Sequence, residues 1–175
     1  MVIILSEDFI ELLHDVILEN DPTASKGYMQ KSMIAGSLDR VMTHVYGLTP
    51  FPTVIDKAAA LMYSIVIFHP FADANKRTAL LATYFFLLFN GYNLEITSDM
   101  VDLLIKISNG EIESEKVVAQ WLSQKTRRNT LLILLLRLMG AEKRDVEIPL
   151  ESIRARVVSF AIQILKETKK IWPKT

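Results

Sequence analysis

The chain has 175 residues, half of them hydrophobic, and 20 Lys and Arg balance 20 Asp and Glu. That length suits one core, since cores stay single up to about 250 residues, and the neutral charge disfavours nucleic acid and anionic membrane surfaces, which call for a basic excess. With no Cys and three His, disulfide frameworks, thiolate zinc sites and cysteine nucleophiles are excluded, and a His-rich zinc site is disfavoured.

The apolar run at residues 2–5 is too short, and Glu7 and Asp8 follow too soon, for a signal peptide, so the expected compartment is cytoplasmic. Ser6 followed by Glu7 and Asp8 marks a helix start. Phe9, Leu12, Leu13, Val16 and Ile17 then recur at helical spacing until Asp21-Pro22. A second helix is predicted from about residue 28 to residue 44, with Gly36 as a point where it could divide. Residues 45–52 contain Tyr46, Gly47, Leu48, Thr49, Pro50 and Phe51. Gly and Pro forbid a helix there, and the apolar content is high for a solvated loop, so the segment reads as an extended flap.

Thr53 with Asp56 resembles a capping box and opens a helix through Phe68 that is apolar nearly all round, hence central. A second apolar helix runs from about Asn75 to Asn90, where Gly91 stops it. Two further helices are expected at 98–108 and 113–124, the first closed by Asn109-Gly110. The run 131–139 is interrupted by Arg137 and falls short of the roughly 20 residues a membrane span needs, so it reads as a buried or partner-facing helix. A last helix, opened by Pro149, carries the stripe Leu150, Ile153, Val157, Phe160, Ala161, Ile164 and Leu165. Lys166, Lys169 and Lys170 form its solvated end, and Trp172 either docks the tail or hangs free. His14 and His44 fall near apolar faces and read as structural. The predicted class is all-α.

The chemistry concentrates between the two most apolar helices, in His69, Pro70, Phe71, Ala72, Asp73, Ala74, Asn75, Lys76, Arg77 and Thr78. Lys76 and Arg77 fall in the first turn of a helix, where cations oppose the dipole. A local rule broken in an otherwise consistent sequence points to a site. An anion repairs it: the backbone N–H groups from Ala74 to Lys76, the dipole and the two cations would form a phosphate cradle. Asp73 is placed to hold a Mg2+ that bridges phosphate oxygens. His69 would accept the proton of an attacking hydroxyl. Asn75 would cap the helix and donate to an oxyanion, and Phe71 would point inward and anchor the loop. The bland alternatives are Asp73 as a helix cap, His69 as a surface histidine, and Lys76 with Arg77 as a solvated turn.

This run resembles the signature of the Fic/Doc (Fido) family in its death-on-curing (Doc) form. Ala58-Ala59-Ala60-Leu61, Thr78-Ala79-Leu80 and Phe89-Asn90-Gly91-Tyr92 are similar as well, and more weakly Gly27 and Ser37-Leu38-Asp39-Arg40. The resemblance covers about residues 2–125. It implies a Fido-type helical bundle with a short extended flap as domain 1–125. Residues 126–175 lie outside the resemblance and read as a C-terminal helical extension that packs on the core, extends the site cleft or forms a homo-oligomer interface. The resemblance further implies ATP and Mg2+ at the motif loop and transfer of part of the nucleotide to a Ser or Thr hydroxyl of a protein, a translation GTPase being the family's expected target. His69 would be general base, Asp73 the metal ligand, Asn75 part of the anion hole, and Arg77 a phosphate contact. The flap would clamp the target's backbone by strand addition.

AMP-transferring Fic proteins have Gly where this chain has Lys76 and a second Arg where it has Leu80. Both departures are those of the Doc branch, which moves the terminal phosphoryl. Adenylyl transfer is the alternative reading. A catalytically silent binding module is the rival, and the intact His69, Asp73, Asn75 and Arg77 count against it. The family's inhibitory motif has its nearest match at Asp15-Val16-Ile17-Leu18-Glu19-Asn20, with Asp in place of the hydroxyl residue. That match reads as the polar end of the first helix, so inhibition is expected from a separate antitoxin-like protein.

Overall fold

Helix α1 (Glu7–Asn20) begins at Ser6, whose hydroxyl accepts the Phe9 N–H at 3.2 Å in the computed structural model, which describes residues 2–43, 49–130, 150–169 and 171–172. The expectations placed on His44 and 45–48 (Tyr46, Gly47 and Leu48 among them), on 131–139, on Pro149 and on Lys170 lie outside the described residues. Helix α2 (Ser32–Met42) follows, then α3 (Val54–Phe68) and α4 (Asn75–Phe89). Thr53 and Asp56 form the expected capping box: the Thr53 N–H donates to the Asp56 carboxylate at 3.0 Å, and the Asp56 N–H to the Thr53 hydroxyl at 3.1 Å.

The α3–α4 hairpin is the centre of the molecule. Lys57 to Met62 on α3, and Thr78 to Thr83 with Phe85 to Leu87 on α4, are buried. A helix apolar on all sides needs neighbours on all sides. For α3 these are α2, α4, α5 (Ser98–Ser108) and α6 (Glu115–Lys125), and for α4 they are α1, α3, α5 and β1 (Tyr92–Leu94). The last helix, α7 (Leu150–Thr168), packs along α1, burying Val157, Ala161 and Ile164 in the same core. Its Phe160 meets Tyr84 and Phe85 of α4 at 5.7 and 6.1 Å between ring centroids, and Trp172 packs against the core beyond the helix end.

Polar ties fix the ends of these helices. Asn90 accepts the Ile3 N–H at 2.8 Å and donates to the Ile3 carbonyl at 2.9 Å, holding the N-terminal segment to the end of α4. The buried Lys57 donates to the Val41 carbonyl at 2.6 Å. The last turn of α2 is thereby tied to the first turn of α3, and burial lowers the lysine's pKa.

The all-α expectation holds for the described residues, with two local corrections. Helix α2 begins at Ser32 rather than near residue 28, because the N–H groups of Met29 and Gln30 both donate to the Pro70 carbonyl, at 2.9 and 3.1 Å. The chain also makes a short antiparallel ribbon, β1 with β2 (Thr126–Arg128), Tyr92 facing Arg128 and Leu94 facing Thr126. Three-residue strands are too short for an alternation pattern to reveal. No helix among the described residues is long and apolar enough to cross a membrane.

Candidate functional site at the α3–α4 loop

The loop between α3 and α4 is strained at both ends. His69 closes α3 with φ 45° and Ala74 opens α4 with φ 60°, and no other non-glycine residue among the described ones has a positive φ. A side chain in this region costs on the order of 1–2 kcal/mol. Strain kept at both ends of one loop marks it as a candidate site.

The loop is held from below by its aromatic residue. Phe71 is wholly buried, stacked on the His14 ring at 3.8 Å with an interplanar angle of 11°, and tilted against Tyr28 at 5.6 Å. Asn75 clamps the same residue: its side-chain oxygen accepts the Phe71 N–H at 3.0 Å and its amide donates to the Phe71 carbonyl at 2.7 Å. The expectation that Asn75 caps α4 is therefore corrected. Ala74 holds the cap position, no side chain caps the helix, and Asn75 turns back into the loop.

His14 supports the loop from α1. Thr78 Oγ1 lies 3.0 Å from the Ala74 carbonyl and 3.2 Å from His14 Nδ1. His14 Nε2 is buried without a partner. Desolvation lowers the His14 pKa, outweighing Asp15 and Asp73, which raise it, and so favours the neutral ring.

The connection between α1 and α2, residues 21–31, runs along the motif loop as a strap. The Ala72 N–H donates to the Gly27 carbonyl at 3.0 Å, and the Pro70 carbonyl takes Met29 and Gln30 as described. The Ser25 N–H reaches Asp73 Oδ2 at 3.2 Å, while the Ala74 N–H donates to Asp73 Oδ1. The Ala74 N–H, counted in the sequence as part of the cradle, is thus already engaged, and both Asp73 oxygens are oriented by backbone. Arg77 donates from Nη1 to Asp21 Oδ2 at 2.5 Å. Hydrogen bonds from Thr23 and then from Arg77 hold the Asp21 carboxyl below the ordinary carboxylate range.

His69 itself is exposed, with Nδ1 3.4 Å from the Ile67 carbonyl. With its proton on Nδ1, the Nε2 lone pair is the ring's proton-accepting position. Lys76 and Arg77 are half-buried in the first turn of α4. The loop thus brings His69, Asp73, Lys76 and Arg77 to one end of the central hairpin. Of the flap residues, Thr49 and Phe51 are half-buried and Pro50 is exposed, with the Arg40 guanidinium 5.7 Å from the Phe51 ring centre. Among the described residues no group of three or more His, Asp or Glu could hold a metal. Asp73 is the one carboxylate of the loop, so a Mg2+ held by it would take the rest of its shell from phosphate oxygens and water. His14 is structural, as its place near an apolar face implied, but sequence reasoning missed its contact with the loop, the strap and Asp21. The signal for Asp21 was available, since an acid at the C-terminal end of α1 breaks the dipole rule just as Arg77 does.

The loop lies within the stretch of the chain that matches a known family. A model of the Fic/DOC family matches residues 4–87. Over 91 residues the chain is 32% identical to a protein named Toxin Doc from Mycolicibacterium smegmatis, a match covering 50% of this chain and 70% of that protein.

Proposed function

Because the chain belongs to the Fic/DOC family, we propose that it is a Doc-like toxin, a protein kinase that moves the terminal phosphoryl of ATP to a Ser or Thr hydroxyl of a target protein. The observation that carries this reading is the strained loop, whose exposed His69, oriented Asp73 and cationic helix start at Lys76 and Arg77 lie within one short segment. The target hydroxyl attacks the γ-phosphorus as its proton passes to His69 Nε2. The bond from γ-phosphorus to the bridging oxygen breaks, ADP leaves, and the phosphoryl stays on the target. Asp73 would hold Mg2+, which neutralises phosphate charge when bound.

Arg77, Lys76 and the uncapped N–H groups at the start of α4 would receive the phosphates, a site that needs no further side chain because the dipole already favours an anion. Asn75 serves this cradle indirectly, by fixing the backbone of Phe71 and hence the path of the loop. Phosphoryl rather than adenylyl transfer is supported by Leu80, which is buried in the core where AMP-transferring relatives carry a second Arg. The cation is supplied instead at Lys76. An antitoxin-like protein is the proposed inhibitor, and the flap including Thr49, Pro50 and Phe51 the proposed contact for the target.

Induced expression of the wild type should arrest bacterial growth, and His69→Ala or Asp73→Asn should relieve the arrest at equal protein level. Arrest that persists in both variants would contradict the enzymatic reading.

A further inference from the structure

Asp21 and Arg77 each sit at the wrong end of their own helix. Asp21 is the C-cap residue of α1, at the negative end of its dipole, and Arg77 lies in the first turn of α4, at the positive end. Their side chains meet, 22% exposed for Arg77 and 30% for Asp21, so each offsets the other's misplacement. The carboxylate is not a loose surface partner. Its Oδ1 is fixed by the Thr23 N–H at 3.2 Å and the Thr23 hydroxyl at 2.6 Å, which turns Oδ2 to Arg77. Pro22 restricts the backbone just beyond it, and the strap that carries it is bonded to the motif loop at Ser25, Gly27, Met29 and Gln30.

We infer that Asp21 is an affinity-determining residue of this site, an internal anion that holds the Arg77 guanidinium through Nη1 and competes with an incoming phosphate for it. The inference rests on the phosphate-cradle reading above. A carboxylate oxygen and a phosphate oxygen compete for the same guanidinium donors. Once displaced, the carboxylate remains within a few ångströms of the bound polyanion and repels it, with only partial screening because the pair is half-buried. Asp21 therefore sets a threshold: an anion held by Arg77 alone gains little by the exchange, whereas a polyphosphate that also engages Lys76 and the helix N–H groups gains the difference.

The test is calorimetric titration of the purified full chain with inorganic tripolyphosphate at constant low salt. Asp21→Asn should bind about two- to fivefold more tightly than the wild type, the range expected for a partly exposed charge pair. Asp21→Glu, which restores the anion, should stay close to the wild type, and the gain should vanish when Asp21→Asn is combined with Arg77→Gln. Asp21→Ser supplies a second neutral variant should Asp21→Asn not fold. Unchanged or weaker binding in a folded neutral variant, or a gain that survives the loss of Arg77, overturns the inference while leaving the cradle intact. Absence of tripolyphosphate binding to the wild type and to the neutral variants alike overturns the cradle and this inference together.

Discussion

Asn75 shows how a single side chain can set the course of a loop. It is 6% exposed and holds both backbone groups of Phe71, a residue with no exposure at all. Asn75→Ala would leave a buried N–H and a buried carbonyl without partners, at about 1–3 kcal/mol for each orphaned group. The expected loss in urea unfolding is about 2–4 kcal/mol, and Asn75→Asp, which keeps the acceptor and loses the donor, should fall between. A loss within about 0.5 kcal/mol, the range of an inert surface change, would show that the loop holds itself. Residue type and spacing made His69, Asp73, Lys76 and Arg77 legible in the sequence, because they persist however the chain folds. The partners of these residues were not legible. Asn75 turns back four positions instead of capping forward, and although Asp21 and Arg77 each stand out on their own helix, local pattern does not say that the two meet 56 positions apart.

At the scale of elements, the apolar hairpin of α3 and α4 and the caps at Ser6, Thr53 and Gly91 were readable, since periodicity and end signals are local. The strap at 21–31 was not. Residues 28–31 read as the start of a helix, but the N–H groups of Met29 and Gln30 are drawn out to the Pro70 carbonyl. His14 is the joint between these elements, touching the loop through Phe71 and α4 through Thr78. Its folded pKa is lowered by burial, so as pH falls through the ordinary histidine value of 6.5 the unfolded chain takes up a proton first. Stability must then decline with acidity in that window, and it is fully present above it. Melting temperatures recorded at about pH 7.5, 6.5 and 5.5, a span centred on the ordinary histidine pKa, should fall more steeply for the wild type than for His14→Gln. Parallel profiles would mean that the imidazole is not held neutral in the fold.

For the whole molecule, one core accounts for the described helices. Residues of α1, α3 and α4 share it with Val157, Ala161 and Ile164 of α7, far along the chain. The family match ends at residue 87, close to the end of α4. The matched stretch thus takes in α1 to α4, the central hairpin among them, and α5, α6 and α7 lie beyond it. The sequence as a whole carries no net charge, so the proposed phosphate site would rely on one helix end rather than on a basic field. The most direct test of phosphoryl transfer is label transfer from ATP, radiolabelled separately at the α and the γ phosphate, into proteins of a bacterial lysate, with His69→Ala beside the wild type. The account predicts label from the γ position alone, entering one or a few proteins and absent with the variant. Label from the α position would make the enzyme an adenylyltransferase, and label that persists without His69 would remove that residue from the chemistry.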